Sequence, residues 1–538
     1  MSSLESQARR QLLQLVGASA ATWSLPRSAW SQSRLNQNPF TLGVASGSPT
    51  PGGVVLWTRL HGAKSSLGGG ADEWGPAVIP VRWELAHDEQ FNRIVHSGQS
   101  MAGPELAHSV HVEVAGLEAD RWYFYRFMAG DFVSATGRTR TLPQPDAVVA
   151  RLRLAYASCQ KWEDGYFSAW RHMREENLDL VLFLGDYIYE YPALNGRVRV
   201  PTGGWVLSLE DYRQRYALYK GELDLQAMHA ACPWLLTWDD HEVQNDYAGV
   251  QAGYSSALDP SKPEHFLARR AAAYQAWYEH MPVRASALTQ GLAGLATGAD
   301  LRIYNRLRYG QLASLYLLDG RQYKDPQACT AGGGVGSAMV KPAECPQWHD
   351  PSRSLLGLQQ ERWLYDEFSK RPAHESGWNV LGQPTLFGQR DLKVGPGQTL
   401  WNDGWDGYPA ARARLTDALS QHAVANPVIL GGDVHENWVG HVKADYPDPG
   451  SASVGVEFCG TSISSRSGGN AKTAQRLAEN PHFVFADALR KGYGVAEFTP
   501  KQLTTSLRVV DDVTRQDTQI ETLARFVVQA GRPVLERA

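Results

Sequence analysis

Acidic, histidine and tyrosine residues follow short apolar runs at three widely separated points of the chain. The three segments are VLFLGDYIYEY (181–191), LLTWDDHEVQNDY (235–247) and VILGGDVHENW (428–438). Apolar runs of this length are typical of buried strands, and open α/β folds place their chemistry in the loops after such strands. Carboxylate, amide, imidazole and phenolate groups are ligands for hard and borderline metal ions. Three such segments in one chain predict a multinuclear metal site and a hydrolase built around it.

In the first segment, Asp186 and Tyr189 are candidate metal ligands. Gly185 allows a tight turn directly after the apolar run, which would direct the carboxylate of Asp186 into a crevice. The alternative for Asp186 is a structural cap on the next turn, but the two other segments favour ligation. Tyr189 would reach the same ion if the turn is helical. A phenol ionises only near pH ~10, so ligation by Tyr189 requires a strong Lewis acid, and core packing is its alternative role.

The second segment places Asp239, Asp240 and His241 in succession and Asn245 shortly after them. Burying adjacent carboxylates without a cation is costly, so the pair is either solvated or shares a metal ion. We predict that both carboxylates are metal ligands. His241 is either a further ligand or an acid/base group that acts on the substrate. Asn245 offers a neutral oxygen donor of the kind that calcium accepts.

The remaining candidates lie in the third segment, at an earlier strand end and on a helix. Asp433 and His435 are two residues apart, hence on the same side of an extended segment, although this short pattern also occurs without function. Cys159 ends an apolar strand and opens a polar turn, where a ligand or a nucleophile would lie. Arg269 and Arg270 carry fixed positive charge suited to phosphate, and a solvated helix face is the alternative for one of them.

The elements that must position these residues divide the chain into two parts. Residues 38–143 show period-2 alternation and predict an all-β domain, and the run around Tyr123 resembles the corner of an immunoglobulin-like or fibronectin-like sandwich. Residues 150–538 alternate between strands and helices, which predicts two sheets covered by helices. The apolar residues of 517–528 recur at helical spacing and predict a C-terminal helix.

Composition and the N-terminus point to an exported soluble enzyme. The formal net charge is −4, from 56 acidic and 52 basic residues, so no nucleic-acid partner is inferred. Residues 1–31 contain Arg9-Arg10, a mildly apolar stretch and a small-residue cleavage pattern, which predict a twin-arginine signal peptide. An amphipathic N-terminal helix is the alternative. No segment reaches the ~18 apolar residues of a membrane span, so no transmembrane anchor is predicted. In an oxidising compartment Cys329 and Cys345 are expected to form a disulfide.

Six motifs also carry a family resemblance. The motifs are SCQ (158–160), LGDYIYEY (184–191), DDHEVQND (239–246), RRAAAYQAWYEHMP (269–282), DGRQY (319–323) and GGDVHENW (431–438). With this set the chain resembles the PhoD-type alkaline phosphatases and phosphodiesterases of the calcineurin-like metallophosphoesterase superfamily, and GVASGSPTPGGVVLWTRL (43–60) resembles the β domain of that family.

The resemblance implies a metallophosphoesterase sandwich and a site that holds Fe³⁺ and Ca²⁺. The implied iron ligands are Cys159, Asp186, Tyr189 and Asp433. The implied calcium ligands are Asp186, Asp240, Asn245 and His435, with Asp186 bridging the ions. Arg270 would contact the phosphate, and His241 or His435 would assist the leaving group.

The function implied by this set is hydrolysis of phosphate esters in the periplasm or outside the cell, after export by the twin-arginine machinery. Monoesters and diesters are both candidate substrates, with a metal-activated oxide or hydroxide as the nucleophile. Two alternatives remain at the level of sequence. One is a phospholipase D-like phosphodiesterase on the same scaffold. The other is a non-catalytic binding protein of the cell envelope.

Overall fold

The computed structural model describes residues 35–62, 74–192, 194–253, 262–288, 301–330, 334–370, 377–448 and 450–538. The predicted signal peptide, residues 1–31, lies outside these ranges. The strands are β1 Val44–Thr50, β2 Gly53–Arg59, β3 Ile79–Ala86, β4 Ile94–Ala102, β5 Ser109–Ala115, β6 Trp122–Ala129, β7 Phe132–Val133, β8 Gly137–Arg140, β9 Leu152–Ala157, β10 Leu180–Leu184, β11 Trp234–Thr237, β12 Asn305–Tyr309, β13 Ala313–Leu317, β14 Met339–Val340, β15 Trp378–Gly382, β16 Leu400–Trp401, β17 Pro427–Gly431, β18 Asn437–Lys443, β19 Ser453–Cys459, β20 Phe483–Asp487, β21 Lys491–Phe498, β22 Gln502–Val510, β23 Ile520–Gln529 and β24 Glu536–Arg537. The helices are α1 Ser168–Arg174, α2 Leu209–Lys220, α3 Leu223–Ala231, α4 Phe266–His280, α5 Leu358–Ser369, α6 Pro409–Gln421 and α7 Asn470–Glu479.

Two large sheets pack face to face and form the centre of the molecule. The first has the order β24-β23-β22-β21-β9-β10-β11-β1-β2-β5, and the second has the order β12-β13-β15-β17-β19-β18-β20. In the first sheet β9, β10 and β11 are parallel, and in the second β13, β15, β17 and β19 are parallel. All five residues of β10 and of β17 are buried, as their continuous apolar sequences predict. The shared core contains leucine and valine side chains from both sheets.

Helices cover the outer faces of both sheets, as the sequence predicts for this part of the chain. Aromatic side chains of α1, α2 and α4 pack with β10 on the outside of the first sheet. Helices α5 and α6 pack on the outside of the second sheet through residues such as Phe368 and Leu415. None of the helices in the described ranges is long and apolar enough to cross a membrane.

The N-terminal part is all-β and is attached to the first large sheet. Strands β3, β4, β6, β7 and β8 form a separate five-stranded sheet, whereas β1, β2 and β5 extend the ten-stranded sheet through a parallel pairing of Gly47 with Trp234. A hydrophobic core lies between these strands. The hydroxyl of Tyr123 accepts a hydrogen bond from the backbone N–H of Glu118 at 3.0 Å, which connects the start of β6 to the preceding turn.

The predicted C-terminal helix over 517–528 is wrong, because this segment is the antiparallel strand β23. The pairing register between β22 and β23 shifts between Leu507 and Arg508, which leaves Leu523 as the extra residue of a bulge. The bulge changes the phase of the inward-facing side chains, so Ile520, Leu523 and Phe526 fall at helix-like spacing. The alternation returns beyond the bulge, where Ala524, Phe526 and Val528 are buried.

The predicted disulfide between Cys329 and Cys345 is present. The loop that it closes contains β14, which pairs with β16. Within this loop the hydroxyl of Ser337 donates a hydrogen bond to Asp246, and the backbone N–H of Ala338 donates to Asn402 Oδ1 at 2.6 Å. The disulfide loop is therefore docked against the segment that follows β11.

Candidate metal centre

The predicted ligands lie in loops that start at the carboxyl ends of β9, β10, β11 and β17. Four of them have left-handed backbone conformations, with φ of 59° at Cys159, 60° at Asp186, 66° at Asp433 and 58° at His435. Such conformations are uncommon for residues other than glycine and cost about 1–3 kcal/mol each. These strained residues lie where the loops converge. Strained conformations cluster at functional sites, so their position here indicates a function rather than a contribution to stability.

Two glycines permit the close approach of these loops. Gly185 has a φ of 100°, and a Cβ there would lie 2.6 Å from the backbone nitrogen of Asp239. A Cβ on Gly432 would lie 2.3 Å from Ser158 Oγ, so the loop after β17 approaches the loop after β9 equally closely. The first contact brings the loop of Asp186 next to that of Asp239 within the first sheet, and the second brings the loop of Asp433 next to that of Cys159 across the two sheets.

Cys159, Asp186, Tyr189 and His435 form one cluster, in which the first three residues are buried and His435 is partly exposed. The ligand atoms of Cys159, Asp186 and His435 all lie within 4.8 Å of one another. The Tyr189 hydroxyl lies 2.8 Å from Asp186 Oδ2, 2.8 Å from Ser465 Oγ and 3.2 Å from His435 Nε2. His435 Nδ1 lies 2.8 Å from the backbone oxygen of Arg466, which leaves Nε2 directed to the cluster. The structure therefore brings together a thiol, a carboxylate, a phenol and an imidazole.

A second cluster shares Asp186 and adds Asp240 and His241, whose ligand atoms also lie within 4.8 Å of one another. His241 Nδ1 lies 2.7 Å from Glu190 Oε2, and Glu190 Oε1 accepts the backbone N–H of Asn245 at 2.8 Å. Burial opposes protonation of His241, but the carboxylates of Glu190, Asp186 and Asp240 outweigh it and raise the pKa well above its usual value. Asp186 is thus placed to contact two neighbouring sites, as expected of a bridging ligand.

Glu242 fixes the two loops to each other. Its Oε2 accepts the backbone N–H groups of Asp186 at 3.0 Å and of Asp239 at 2.8 Å, and its Oε1 accepts that of Tyr187 at 2.6 Å. The carboxylate of Glu242 therefore satisfies buried backbone donors rather than facing a ligand, and it positions both acidic loops.

Arg321 and Asp403 form a charge network behind the acidic pair. Arg321 Nε lies 2.5 Å from Asp239 Oδ1, and Arg321 Nη2 lies 2.8 Å from Asp403 Oδ2 and 3.5 Å from Asp240 Oδ2. Lys324 Nζ contacts Asp403 Oδ1 at 2.5 Å. Burial opposes ionisation of Asp240, but Arg321 and His241 lower its pKa below the usual value. Asp240, Asp246 and Asp403 also have carboxylate oxygens within 4.8 Å of one another.

The other predicted residues lie around these clusters. Asp433 Oδ2 accepts the hydroxyl of Thr385 at 2.8 Å and belongs to none of the three groups of ligand atoms found in the described residues. Its charge nevertheless contributes to raising the pKa of Cys159, whose main cause is burial. Asn245 is partly exposed in the loop beside Glu190. Arg270 is buried on α4 and donates to the backbone oxygen of Gly249 at 2.7 Å.

The chemistry of this donor set fits metal ions. Burial and nearby carboxylates raise the pKa values of the Cys159 thiol, the Tyr189 phenol and Asp186 well above their usual ranges. Asp186 Oδ1 and Asp239 Oδ2 are buried and have no hydrogen-bond partner among the described residues. Buried carboxylate oxygens without a partner are unfavourable unless a cation meets them. The residues present therefore suit positively charged ligands.

Sequence reasoning missed several residues of the centre. Glu190 and Glu242 lie in the same motifs as Asp186 and Asp240. Their position near the site could therefore have been predicted from their spacing in the sequence. Arg321 lies in the DGRQY motif, but its pairing with Asp239 depends on how the two large sheets meet. Asp403 follows β16, a two-residue strand with no periodic pattern, and no sequence signal identified it.

Comparisons with known proteins identify the family of this chain. The family model of the PhoD-like phosphatase matches residues 154–507, and that of the PhoD-like phosphatase N-terminal domain matches residues 26–143. The chain is 43% identical over 509 residues to alkaline phosphatase D of Bacillus subtilis (strain 168), across 93% of this chain and 82% of that protein. The solved structure of PhoD superposes with a TM-score of 0.85 at 42% identity, over 94% of this chain and 93% of that one. The chain therefore belongs to the PhoD-like phosphatase family.

Proposed function

We propose that this phosphatase hydrolyses phosphate monoesters, and also diesters, outside the cytoplasm with Fe³⁺ and Ca²⁺ as cofactors. The observation that carries the proposal is the cluster of Cys159, Asp186, Tyr189 and His435, in which Asp186 Oδ1 is buried and has no hydrogen-bond partner among the described residues. Rates on paired chromogenic monoester and diester substrates test it. Metal-dependent turnover excludes a non-catalytic binding protein, and turnover of diesters alone favours a phospholipase D-like phosphodiesterase.

The ion assignment rests on which donors each ion prefers. Cys159, Asp186, Tyr189 and Asp433 would hold Fe³⁺, because a thiol and a phenol must both lose a proton and a trivalent ion compensates for that best. Asp186, Asp240, Asn245 and His435 would hold Ca²⁺ through a mostly oxygen donor set, and Asp239 next to Asp240 is held by Arg321. Bound ions would supply Lewis-acid polarisation of the phosphoryl oxygens and acidify the attacking water.

The side chains around the site would orient the substrate and donate a proton to its leaving group. Glu190 engages Nδ1 of His241, which leaves Nε2 as the nitrogen that can give a proton to the leaving-group oxygen. The rings of Tyr189 and Tyr191 lie 4.1 Å and 5.2 Å from the ring of His241 and restrict the access of water to it. His435 is the second candidate for this role, and Arg270 is retained as a phosphate contact only if it exchanges its bond to Gly249 for one to the substrate.

Removal of calcium is expected to abolish activity before the fold is lost. An oxygen-rich site of this kind exchanges Ca²⁺ with solution, so a calcium-selective chelator should lower the rate by more than about tenfold. Added Ca²⁺ should restore the rate, whereas equimolar Mg²⁺ should not, because Mg²⁺ demands a stricter octahedral geometry. Circular dichroism recorded in chelator controls for unfolding. Full activity after prolonged chelation would contradict the calcium assignment.

Export by the twin-arginine route is the second part of the proposal. Arg9-Arg10 precede a mildly apolar, Ala/Gly-rich stretch, as in signals that direct folded proteins to this pathway. Changing both arginines to lysine should trap the precursor in the cytoplasm, which cell fractionation followed by immunoblotting would show. Unchanged export of the double-lysine variant would instead indicate the general secretory route.

We also propose that the N-terminal β region has an immunoglobulin-like or fibronectin-like topology. Its two packed groups of strands and the hydrogen bond between Tyr123 and Glu118 support this assignment. A crystal structure of the protein tests it through the order of β1 to β8, and a different strand order would contradict it.

A further inference from the structure

Lys161 lies beside the metal centre, and its ammonium group donates no hydrogen bond to the residues that the structure describes. Its backbone is fixed at the site, because its N–H donates to Ser465 Oγ at 3.2 Å and its carbonyl accepts the hydroxyl of Ser464 at 2.9 Å. Ser465 Oγ is the same atom that contacts the Tyr189 hydroxyl. Lys161 is therefore two residues from Cys159 in sequence, and two hydrogen bonds through Ser465 Oγ connect its backbone to the proposed iron ligand Tyr189.

The side chain of Lys161 extends over the aromatic rings that border the site. Nζ lies 5.1 Å from the ring centre of Tyr189 and 4.7 Å from that of Tyr191. Both rings also contact His241, a member of the second cluster. The ammonium group therefore lies beside two tyrosine rings that border the metal clusters.

Nothing in the described ranges satisfies the hydrogen-bonding capacity of this ammonium group. Its nearest carboxylate oxygen is Glu163 Oε1 at 3.7 Å, which is beyond hydrogen-bond distance. The side chain is only 10% exposed, so water replaces the missing partners poorly. Glu163 is itself fully buried, and neither of its oxygens has a hydrogen-bond partner among the described residues. Glu163 therefore balances the charge of Lys161 without occupying its N–H donors.

The other cations near the centre are already bound to protein groups. Lys491 Nζ donates to the backbone oxygen of His435 at 2.7 Å and to Ser467 Oγ at 2.8 Å. Arg321 and Lys324 are paired with buried aspartates. Among these cations, Lys161 is the one whose donors remain available to a substrate.

We propose that the ammonium group of Lys161 binds a non-bridging oxygen of the phosphoryl group, in the ester substrate and in the phosphate product. This role rests on the proposed phosphatase function and adds a phosphate contact to it. Three N–H donors on a flexible stem suit a phosphate oxygen, and the partly exposed side chains of Asp433, His435 and Tyr191 mark the face from which an ester would approach.

The test is titration of the metal-loaded protein with inorganic phosphate by calorimetry, together with steady-state kinetics on a monoester. Lys161→Met should weaken phosphate binding and lower kcat/KM by about 10- to 100-fold, the loss expected for a charge-assisted hydrogen bond. Metal content measured by mass spectrometry should stay at the wild-type level. Lys161→Arg should recover most of the affinity, because it keeps the charge and the donors.

Controls separate this role from a structural one. Lys501→Met, at an exposed turn between β21 and β22, should change neither quantity by more than about twofold. If the methionine variant loses its metals, Lys161→Gln replaces it in the same titration. Wild-type phosphate affinity in a metal-loaded neutral variant overturns the role of Lys161 and leaves the phosphatase function standing. A wild-type protein that neither binds phosphate nor hydrolyses esters overturns the proposed function itself.

Discussion

Replacing Cys159 by serine is expected to bleach the protein and to lower its activity on the order of 100-fold or more, since even residues behind metal ligands contribute about 10- to 100-fold. A thiolate and a phenolate on ferric iron give a visible charge-transfer band, which neither a calcium site nor a zinc site produces. The wild-type protein should therefore be coloured and hold about one iron per chain, if both side chains ligate one ion. Absorption spectra and metal analysis of the purified protein measure these quantities.

The second ligand and a distant thiol provide the controls for this experiment. Tyr189→Phe should shift or remove the same band, because its hydroxyl lies 2.8 Å from Asp186 within the cluster. Cys232→Ser changes another buried free cysteine that belongs to none of the clusters in the described residues, and it should leave the spectrum unchanged. A colourless, iron-free preparation with full activity would show that Cys159 is a packing residue.

Replacing Arg321 by methionine is expected to destabilise the folded protein by about 3–5 kcal/mol, the usual cost of removing one partner of a buried ion-pair network. Arg321 contacts Asp239, Asp240 and Asp403, and all four side chains are almost completely buried. Without the guanidinium group, these carboxylates lose their main source of positive charge in the protein. Urea unfolding of the metal-loaded protein measures the change, and metal analysis shows whether the neighbouring site still binds its ions.

A matched arginine distinguishes this network from buried arginines in general. Arg412 is also buried, but its ion pair in the described residues is a single contact with Asp406 at 2.6 Å, outside the metal clusters. Arg412→Met should therefore destabilise the protein less than Arg321→Met and leave the specific activity of the folded enzyme within about threefold of wild type. Equal destabilisation by the two variants would show that Arg321 has no special role in balancing the acidic centre.

The candidate ligands could be identified from the sequence alone, because their chemistry is local. A carboxylate or histidine directly after an apolar run lies at a strand end in any parallel sheet, so Asp186, Asp240 and His435 could be predicted without coordinates. The periodicity of apolar residues is also local, so the all-β start and the alternating strands and helices were predictable. The disulfide between Cys329 and Cys345 was predicted from the oxidising compartment expected for an exported protein. The helix proposed for 517–528 was wrong because a bulge at Leu523 imitates helical spacing, and only strand pairing distinguishes the two.

Tertiary structure decided which of these residues meet and what balances their charge. Asp403 is 82 residues from Arg321 in sequence, and their contact exists only because two loops pack behind the centre. The environment of Lys161 also depends on tertiary structure. Whether its ammonium group finds hydrogen-bond acceptors among the described residues is decided by the segments packed around it, not by its neighbours in the chain. Local patterns report the preferences of single segments, whereas burial and ion pairing depend on distances between segments. For this reason the candidate metal ligands could be predicted from the sequence, whereas the cations that balance the charge of the buried carboxylates could not.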